Sequence, residues 1–339
     1  MSTTHRAILL PGDGIGPEVT EAAVRVIEGA GVKVAWESLP CGLAAVTAHG
    51  DALPASVVER IRAVKVALKG PTTTPIGGGH VSANVRLRKT LELFANVRPV
   101  KTVPGLETPY GPVDLVIVRE NTEDLYAGLE NLVAPGVVTS IKVITRRASR
   151  RIAKFAFQHA DAWDRKRVTA VHKANIMKLA DGLFLDCCRE SSKHWEGKLA
   201  YDEVLVDALC MKLVRRAWDF DVLLLENLYG DIVSDLAAGL VGGLGLVPGA
   251  NYGRHAAVFE AVHGSAPDIA GKGIANPIAM ILSAAMMCHH LGEKAAFTRI
   301  RRGVAAVTKK KEALTPDIGG TATTRQLTDA IIAEVKAQP

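Results

Sequence analysis

The sequence contains few cysteines, and none of them is arranged as a metal or disulfide site. There are five among 339 residues, and no two have the C-x-x-C spacing. An odd number of scattered cysteines is typical of reduced thiols in a cytosol. The pattern therefore argues against a disulfide scaffold and against a thiolate zinc site.

Long apolar runs are also absent. No apolar stretch reaches the ~20 uncharged residues of a membrane-spanning helix, and the N-terminal MSTTHRAILL leads directly into a strand pattern. We therefore expect no membrane span and no signal or transit segment. The expected location is the cytoplasm, with the mitochondrial matrix as the alternative if a transit peptide was removed.

Aromatic residues are only 5% of the chain, and the net charge of +6 is not organised around them. Basic motifs interleaved with aromatic side chains mark nucleic-acid binding, and none is present. We therefore expect no nucleic-acid partner. The excess positive charge suits a small polyanionic substrate, and the length exceeds the ~250–300 residues at which single cores stop growing, which favours two domains.

A complete dinucleotide-binding glycine fingerprint is missing as well. Gly12, Gly14 and Gly16 follow a short apolar run, but their spacing is G-x-G-x-G and Pro17 comes next. The fingerprint requires G-x-G-x-x-G, followed about 20 residues later by an acid. Glu37 lies near that acid's position, yet the third glycine is one residue early, so this segment does not predict a Rossmann site.

Apolar runs alternate with amphipathic stretches along the chain, which predicts an α/β fold with a largely parallel sheet. Pro17 suits the first turn of a helix that ends near Gly29 and Gly31. Residues 70–84 are predicted to be a turn-rich loop without periodicity. Loops of this length are usually functional or disordered. The predicted strands are 6–10, 32–36, 65–68, 114–118, 137–144, 167–171, 221–225 and 256–259.

Two segments carry side chains suited to metal or proton-transfer chemistry. Asp231 and Asp235 are four residues apart in a helix predicted to begin near Gly230, so both carboxylates lie on one face. Such a pair of carboxylates suits Mg²⁺ or Mn²⁺. The pair is explained equally well if one acid stabilises the helix dipole and the other is only solvated. Lys173 follows the predicted strand VTAVH, where a partly desolvated lysine can act as a base, although lysines there are more often structural.

Arginines accompany several of these segments. Ser82 is positioned to cap a helix that begins at Ala83, and Arg88 lies within that helix. Arg98 follows an apolar stretch, and Arg119 ends the strand VDLVIV, where ligand groups are expected in an α/β sheet. Converging arginines would bind carboxylates bidentately. Surface ion pairing is the alternative. It explains any one of these arginines well, but it explains all of them together poorly.

Eight motifs occur in one order along nearly the whole chain. They are GDGIGPE, KGP with TTP and GGG, S-x-N-x-x-x-R, LRK with LFANVRP, REN-T-E-D-x-Y-x-G, HKAN, NL-x-GD-x-x-SD, and VHGSAPD-x-A-G-x-x-x-A-N-P. The series resembles the β-decarboxylating dehydrogenases, the family of isocitrate, homoisocitrate and 3-isopropylmalate dehydrogenases. The resemblance implies two α/β domains that are not a usual Rossmann fold.

In that family both chain ends build one domain. The resemblance therefore implies a discontinuous large cofactor-binding domain at 1–100 and 250–339, a small dimerisation domain at 101–249, and an active site in the cleft between them. It also implies a homodimer with shared active sites, in which Lys173 and Asp207 reach the partner's site. The size of any larger assembly stays open.

The resemblance also assigns roles to residues that match the family's motifs. Tyr126 and Lys173 become the catalytic proton-transfer pair. The metal carboxylates are Asp207, Asp231 and Asp235, for Mg²⁺ or Mn²⁺. The substrate residues are Thr74, Ser82, Asn84, Arg88, Arg98, Arg119 and Asn175. The NAD-binding residues are Ile15, Glu260, His263, Gly264, Ser265, Ala266, Asp268, Ile269 and Asn276.

Ser82 and Asn84 distinguish the substrates within the family. Isopropylmalate enzymes carry apolar residues there, whereas the polar S-x-N pattern is similar to that of isocitrate enzymes. A site built for hydrogen bonds rejects an analogue that lacks the bonded group, whereas one methylene is worth only ~1–3 kcal/mol. The resemblance thus implies isocitrate, with homoisocitrate as the alternative. An isopropylmalate dehydrogenase and a non-catalytic regulatory subunit are more distant alternatives.

Two short segments favour NAD over NADP. Asp268 and Ile269 stand where NADP-dependent relatives often carry Lys-Tyr, and an aspartate would repel a 2′-phosphate. Pro316 and Gly320 stand where those relatives tend to carry Tyr and Arg. The resemblance therefore implies NAD-linked, metal-dependent oxidative decarboxylation of a tricarboxylate.

Overall fold

The structure, a computed structural model, describes residues 3–73 and 82–338. The strands, in chain order, are β1 (Thr4–Leu10), β2 (Lys33–Ser38), β3 (Val66–Lys69), β4 (Ala95–Lys101), β5 (Asp114–Glu120), β6 (Asp124–Ala134), β7 (Val137–Val143), β8 (Arg167–His172), β9 (Ala200–Leu205), β10 (Val222–Leu225), β11 (Pro248–Tyr252) and β12 (Ala257–Ala261).

Helices alternate with these strands. In chain order they are α1 (Gly16–Gly29), α2 (Leu43–His49), α3 (Ala55–Val64), α4 (Ala83–Thr90), α5 (Arg146–Ala162), α6 (Ala180–Ser192), α7 (Val206–Arg216), α8 (Asn227–Leu240), α9 (Ile278–His290), α10 (Lys294–Lys310) and α11 (Thr324–Lys336). Short 3₁₀ turns lie at Lys193–Trp195, Ala217–Asp219, Leu244–Leu246 and Pro316–Ile318.

The chain divides into two units. Unit 1 comprises Met1–Leu91, Thr102–Thr108 and Val241–Pro339, and unit 2 comprises Glu92–Lys101 and Pro109–Leu240. The sequence-based boundaries were 100/101 and 249/250. The assignment of these units to cofactor binding and dimerisation stays a prediction.

Five sheet strands of unit 1 lie side by side in the order β2-β1-β3-β12-β11. The first four strands are mutually parallel, and β11 runs antiparallel to β12. Helix α9 contacts β3, β11 and β12 as well as α1 and α10, and most of its residues are buried. A helix that is buried on nearly every side must be apolar all round, which explains the sequence IAMILSAAMMC.

Five sheet strands of unit 2 lie side by side in the order β4-β5-β10-β8-β9. Strands β5, β10, β8 and β9 are parallel, and β4 runs antiparallel to β5. The parallel strands end at Glu120, Leu225, His172 and Leu205, so the residues that follow them lie at one edge of this sheet. The catalytic and metal residues predicted from the sequence follow or flank these ends.

Strands β6 and β7 form a separate antiparallel ribbon in unit 2. Apolar side chains are exposed along it, including Leu132 at 72% and Val138 at 62%. The ribbon carries Tyr126 at its β6 end. It therefore combines a candidate catalytic residue with an apolar surface that the described residues leave exposed.

The structure confirms the predicted α/β class and all eight predicted strand positions. Helix α1 begins at Gly16 with Pro17 in its first turn, as expected. Helix α8 begins at Asn227 rather than near Gly230, because the Leu228 N–H in its first turn donates to Asp124 Oδ2 at 2.7 Å, a partner that is distant in sequence. Within residues 3–73 and 82–338, no helix is long and apolar enough to cross a membrane.

Candidate active site

Asp231 and Asp235 lie one turn apart on α8 and face two arginines of unit 2. The Arg119 Nη1 atom donates to Asp231 Oδ1, and Arg98 Nη1 lies 3.7 Å from the same oxygen. Arg98 Nη1 is also 3.6 Å from Asp235 Oδ1. The pKa of Asp235 is raised overall. Burial is the main cause and the charge of Asp231 adds to it, although Arg98 acts in the opposite direction. The predicted pairing of the two carboxylates on one face is therefore present.

Arg119 is a fully buried arginine whose position is fixed by α8. Its Nε and Nη2 atoms donate to Asn227 Oδ1 at 2.9 and 2.7 Å. A Cβ added at Gly230 would lie 2.5 Å from Arg119 Cγ, so only glycine leaves room for this side chain. Sequence reasoning missed both supporting residues, although the motif NL-x-GD contains them.

Arg98 lies near the middle of β4 and is also nearly buried. Its Nη1 atom donates to Ser234 Oγ on α8. Ser234 lies between Asp231 and Asp235, so one helix face holds an arginine contact and two carboxylates. A buried guanidinium that faces such a cluster can bind a carboxylate ligand bidentately.

Tyr126 joins this cluster through its hydroxyl, which donates to Asp231 Oδ2 at 2.5 Å. The guanidinium carbon of Arg119 lies 5.1 Å from the centroid of the tyrosine ring. Burial and the Asp231 carboxylate raise the pKa of Tyr126, and Arg119 partly opposes them. The phenol therefore remains protonated at neutral pH and is suited to donate a proton.

Lys173 directly follows β8 and pairs with a different acid. Its Nζ atom lies 2.8 Å from Asp207 Oδ2 at the start of α7, and this pairing lowers the pKa of Asp207. The Lys173 backbone N–H donates to the buried Asp181 at 2.6 Å, which fixes the turn. Asn175 is exposed in the same turn.

The structure does not unite the three predicted metal carboxylates in one chain. Among residues 3–73 and 82–338, no three histidine, cysteine, aspartate or glutamate side chains form a metal-binding group. Asp231 and Asp235 nevertheless supply the hard oxygen donors that Mg²⁺ and Mn²⁺ prefer, and such sites often use one or two carboxylates with waters and substrate oxygens. The donor chemistry of these two residues therefore fits a divalent cation.

The GDGIG turn in unit 1 is shaped by close backbone packing. The Asp13 N–H donates to Pro71 O at 2.7 Å, and the Ile15 N–H donates to Ser265 O at 2.9 Å. A Cβ on Gly12 would lie 2.1 Å from Pro71 O, and one on Gly14 would lie 2.0 Å from Ser265 O. The glycines are therefore required by two neighbouring loops. Ile15 is buried beside the 265 loop.

The loop after β12 contains most of the predicted NAD-binding residues. His263 Nδ1 lies 3.0 Å from Gly264 O, and a carbonyl only accepts, so Nδ1 carries the proton. His263 Nε2 is then a buried acceptor without a hydrogen-bond partner among the described residues. Burial also lowers the pKa of His263. A Cβ on Gly264 would meet no described atom within 4 Å, so this edge has space for a ligand.

The rest of the predicted cofactor segment divides into buried and exposed positions. Ser265 Oγ is buried 2.7 Å from Thr73 Oγ1. Ala266 has a positive φ of 39°, and its carbonyl accepts the Ile269 N–H at 3.2 Å. Asp268 is exposed. The His263 Nε2 acceptor, which has no partner among the described residues, and the free space beside Gly264 fit a cofactor such as NAD.

Asn276 anchors the segment in which Pro316 and Gly320 lie. Its Nδ2 atom donates to Asp317 Oδ2 at 2.9 Å, while its Oδ1 accepts the Ile278 N–H. A Cβ on Gly320 would lie 1.9 Å from Leu314 O. This backbone therefore leaves no room for an arginine side chain at Gly320.

The S-x-N pattern lies at the start of α4, which begins at Ala83 as predicted. Ser82 occupies the N-cap position, as predicted, but its hydroxyl makes no capping hydrogen bond to a described amide of this helix. Asn84 Oδ1 accepts from Thr72 Oγ1 at 3.0 Å. Arg88 Nε is a buried donor without a partner among the described residues, which suits a carboxylate ligand. Thr74 lies outside the described residues.

Glu260 is buried at the end of β12 and binds two cations. Its Oε2 atom lies 2.7 Å from Lys69 Nζ, and its Oε1 atom lies 2.9 Å from Arg88 Nη2. Sequence reasoning missed Lys69, whose only signal was the KGP motif at the end of an apolar strand.

Comparisons with known proteins identify the family of the chain. The family model described as isocitrate/isopropylmalate dehydrogenase matches residues 6–331. Catalytic subunit 5 of the mitochondrial NAD isocitrate dehydrogenase of Arabidopsis thaliana is 50% identical over 331 residues, covering 97% of this chain and 88% of its own. A regulatory subunit of the mitochondrial NAD isocitrate dehydrogenase of Dictyostelium discoideum is 47% identical over 335 residues, covering 98% and 93%.

A solved structure is similar over the same extent. The crystal structure of isocitrate dehydrogenase from Methylococcus capsulatus has a TM-score of 0.95 and 50% sequence identity, covering 98% of this chain and 99% of that one.

Proposed function

Since the chain belongs to the isocitrate/isopropylmalate dehydrogenase family, we propose that it catalyses the NAD-linked oxidative decarboxylation of isocitrate to 2-oxoglutarate and CO₂. The observation that carries this proposal is the α8 cluster, where two carboxylates face two buried arginines and a protonated tyrosine. Its relatives named as NAD isocitrate dehydrogenase subunits support the same activity.

The substrate is held by arginines in this proposal. Arg98 and Arg119 are buried and already oriented by α8, so little side-chain freedom is lost when a carboxylate binds. Arg88 contributes its Nε donor, which has no partner in the described part of the chain, to another carboxylate. Ser82 and Asn84 offer polar side chains to the γ-carboxylate, whereas an isopropyl group can form no hydrogen bond with them.

Two side chains move the protons. Lys173 accepts the hydroxyl proton of the substrate, and Tyr126 donates a proton to the carbon from which CO₂ departs. Within one chain, however, the Lys173 Nζ atom is already paired with Asp207 Oδ2 at 2.8 Å. The release of Asp207 to another partner is therefore a requirement of this role.

Two bound groups complete the chemistry. A divalent cation held by Asp231 and Asp235 supplies Lewis-acid stabilisation of negative charge on the substrate oxygens. NAD⁺, held by the GDGIG turn and the loop after β12, supplies the hydride acceptor. Asp268 and the crowded backbone at Gly320 support NAD over NADP.

We further propose that two chains share each active site. Within one chain Asp207 pairs with Lys173, while Asp231 and Asp235 face the arginines, so a second chain is needed to supply the third carboxylate. A second copy of this chain is the simplest source. An assembly of different subunits is the alternative, because relatives are named as catalytic and regulatory subunits.

The compartment also stays a proposal. The cytoplasm was the first prediction and the mitochondrial matrix its alternative, and the similar plant and slime-mould subunits are named as mitochondrial. The matrix is therefore the better supported of the two.

The test is the initial rate of NADH formation by the purified chain with Mg²⁺. Isocitrate, homoisocitrate and 3-isopropylmalate are supplied in parallel, each also with NADP⁺. The proposal expects the highest kcat/KM with isocitrate and NAD⁺. A higher value for homoisocitrate reassigns the substrate, and no turnover with any acid favours a regulatory role for the chain.

A further inference from the structure

Three charged side chains form a buried cluster in unit 1. Lys69 ends β3, Glu260 lies on β12, and Arg88 lies on α4. The exposed fractions of their side chains are only 1% for Lys69, 9% for Glu260 and 12% for Arg88. Buried charges are costly unless they are paired and hydrogen-bonded, so this arrangement requires each partner.

The Glu260 carboxylate is already heavily hydrogen-bonded. Its Oε1 atom accepts from Arg88 Nη2 at 2.9 Å and from Asn251 Nδ2 at 2.7 Å. Its Oε2 atom lies 2.7 Å from Lys69 Nζ. A carboxylate has about four acceptor sites, so three internal donors leave little capacity for a ligand. Burial opposes the charged form, yet Lys69 and then Arg88 lower the pKa of Glu260, so the carboxylate stays ionised.

The excess positive charge of the cluster belongs to Arg88. Lys69 is the more deeply buried cation, and its Nζ atom also donates to Gly70 O at 2.8 Å. Arg88 keeps the larger exposed fraction, and its Nε donor has no partner among the residues that the structure describes. One anion between two cations therefore leaves a net positive charge at the end that can meet an anionic ligand.

We infer that Glu260 is a positioning residue for substrate binding: together with Lys69 it fixes the Arg88 guanidinium toward a substrate carboxylate. This inference rests on the proposed function and replaces the sequence-based expectation that Glu260 contacts NAD. Arginine loses considerable side-chain freedom when it is fixed in one geometry. A buried counter-ion removes that loss before the substrate arrives, which improves substrate binding without touching the substrate.

The experiment compares Glu260→Gln with the wild-type full-length enzyme, using separate KM measurements for isocitrate and NAD⁺ at saturating Mg²⁺. Glutamine keeps the shape and removes the charge. We expect the isocitrate KM to rise at least about 10-fold, because one partner of a buried charge pair is lost. We expect the KM for NAD⁺ to stay within about twofold and kcat to change less than the isocitrate KM.

The matched control is Glu37→Gln. Glu37 also belongs to unit 1 and forms a bidentate ion pair with Arg60, at 2.7 and 2.6 Å, but this pair is far more exposed. Both KM values should stay unchanged in this variant. If they rise as in Glu260→Gln, a general loss of charge pairing explains the effect and the inference fails.

A double-mutant cycle with Arg88→Lys isolates the coupling. If Glu260 acts through Arg88, Glu260→Gln has a much smaller effect on the isocitrate KM in the Arg88→Lys background than in the wild type. Equal effects in the two backgrounds overturn the inference. If Glu260→Gln does not fold, Glu260→Asp takes its place, since the shorter acid keeps the charge but cannot span both cations.

The remaining outcomes are distinguishable. A selective rise in the KM for NAD⁺ identifies Glu260 as a cofactor ligand and overturns the inference, while the proposed function stands. A wild-type chain that does not oxidise isocitrate refutes the proposed function. In that case, calorimetric titration of the wild type and Glu260→Gln with citrate, as a tricarboxylate probe, still tests the cluster. Equal affinity for citrate overturns the inference there too.

Discussion

The surroundings of Tyr126 favour the protonated form of its hydroxyl. Burial and then its hydrogen bond to Asp231 raise the pKa of the hydroxyl. Removing that hydroxyl in Tyr126→Phe keeps the ring against Arg119 and deletes the proton donor. General acid catalysis contributes about 10²- to 10⁴-fold, so kcat for isocitrate should fall by about that factor. Steady-state NADH formation measures it.

The control for this substitution is Tyr201→Phe. Tyr201 also belongs to unit 2, and its hydroxyl also donates to a carboxylate, Glu203, at 2.8 Å. Tyr201 has no role in the proposed reaction, so the kcat of Tyr201→Phe should match that of the wild type. A kcat for Tyr126→Phe that equals that of Tyr201→Phe would remove Tyr126 from the proposed mechanism.

Individual site residues were predictable where a local pattern singled them out. The four-residue spacing of Asp231 and Asp235 fixed their shared helix face, and Arg119 followed a recognisable strand. Lys69 could not be found this way, because its charge is explained only by Glu260, which is distant in sequence. The pairing of Lys173 with Asp207 likewise depends on two parallel strands that neighbour each other in space.

The turn between β1 and α1 provides a test of backbone packing. Gly14 has a φ of +60°, and a Cβ there would lie 2.0 Å from Ser265 O, whereas Gly31 has a φ of +78° and open space around it. Gly31→Ala should cost only the about 1–2 kcal/mol of a left-handed alanine. Gly14→Ala should cost more, because the 265 loop must also move.

The free energy of unfolding in urea measures both variants. Equal losses would show that the contact between the GDGIG turn and the 265 loop does not constrain Gly14. Since that loop carries the predicted cofactor residues, Gly14→Ala should also raise the KM for NAD⁺, while Gly31→Ala should not.

A second test concerns a buried charge cluster that joins β7, α6 and the end of β10. Lys142 Nζ lies 2.6 Å from Asp181 Oδ1 and 2.5 Å from Glu226 Oε2. Two acids share one cation here. Burial and the Asp181 charge raise the pKa of Glu226 from 4.5 to about 8, although Lys142 opposes them.

The raised pKa makes the stability depend on pH. Between pH 4.5 and about 8 the folded chain holds a proton on Glu226 that the unfolded chain has released. The free energy of unfolding that Glu226 contributes is therefore fully present below this window and is lost as the pH rises through it. The free energy of unfolding of the wild type minus that of Glu226→Gln should therefore decrease across this window, by on the order of 1 kcal/mol per pH unit.

Denaturant unfolding at several pH values measures this difference. The control is Glu190→Gln on α6, since Arg150 lowers the pKa of this exposed acid. The free energy of unfolding of the wild type minus that of Glu190→Gln should not decrease across the same pH window. A constant difference for Glu226→Gln would show that Glu226 is ionised in the folded chain throughout.

Strands and helices were predictable to different degrees. Strands β1, β3, β5, β8, β10 and β12 are short apolar runs, and the sequence pattern located them. Strands β4, β6, β9 and β11 were missed. Arg98 and Pro99 interrupt the apolar pattern of β4, and β9 has the polar sequence AYDEVL. Strands β4 and β9 pair with neighbouring strands that local patterns do not reveal.

The division of labour between two chains can be tested with two inactive variants. Lys173→Met removes the proposed base, and Tyr126→Phe removes the proposed acid. If these residues come from different chains at each site, a mixed dimer contains one site with both intact. Random exchange in an equal mixture should restore about a quarter of the wild-type activity.

Each variant mixed with itself is the control and should stay inactive. If both residues belong to the same chain at each site, a mixed dimer has no intact site, and the equal mixture also stays inactive. That result would refute the sharing of active sites and leave the individual roles of Lys173 and Tyr126 unchanged.

The β6–β7 ribbon links folding to assembly in a way that catalysis alone does not reveal. An isolated two-stranded ribbon is at best marginally stable in water, and apolar side chains of this one are exposed along its length. Its order must therefore depend on whatever covers it. Because Tyr126 lies at the start of β6, diluting the protein would first fray the segment that carries the proton donor, and activity would fall before the rest of unit 2 unfolds.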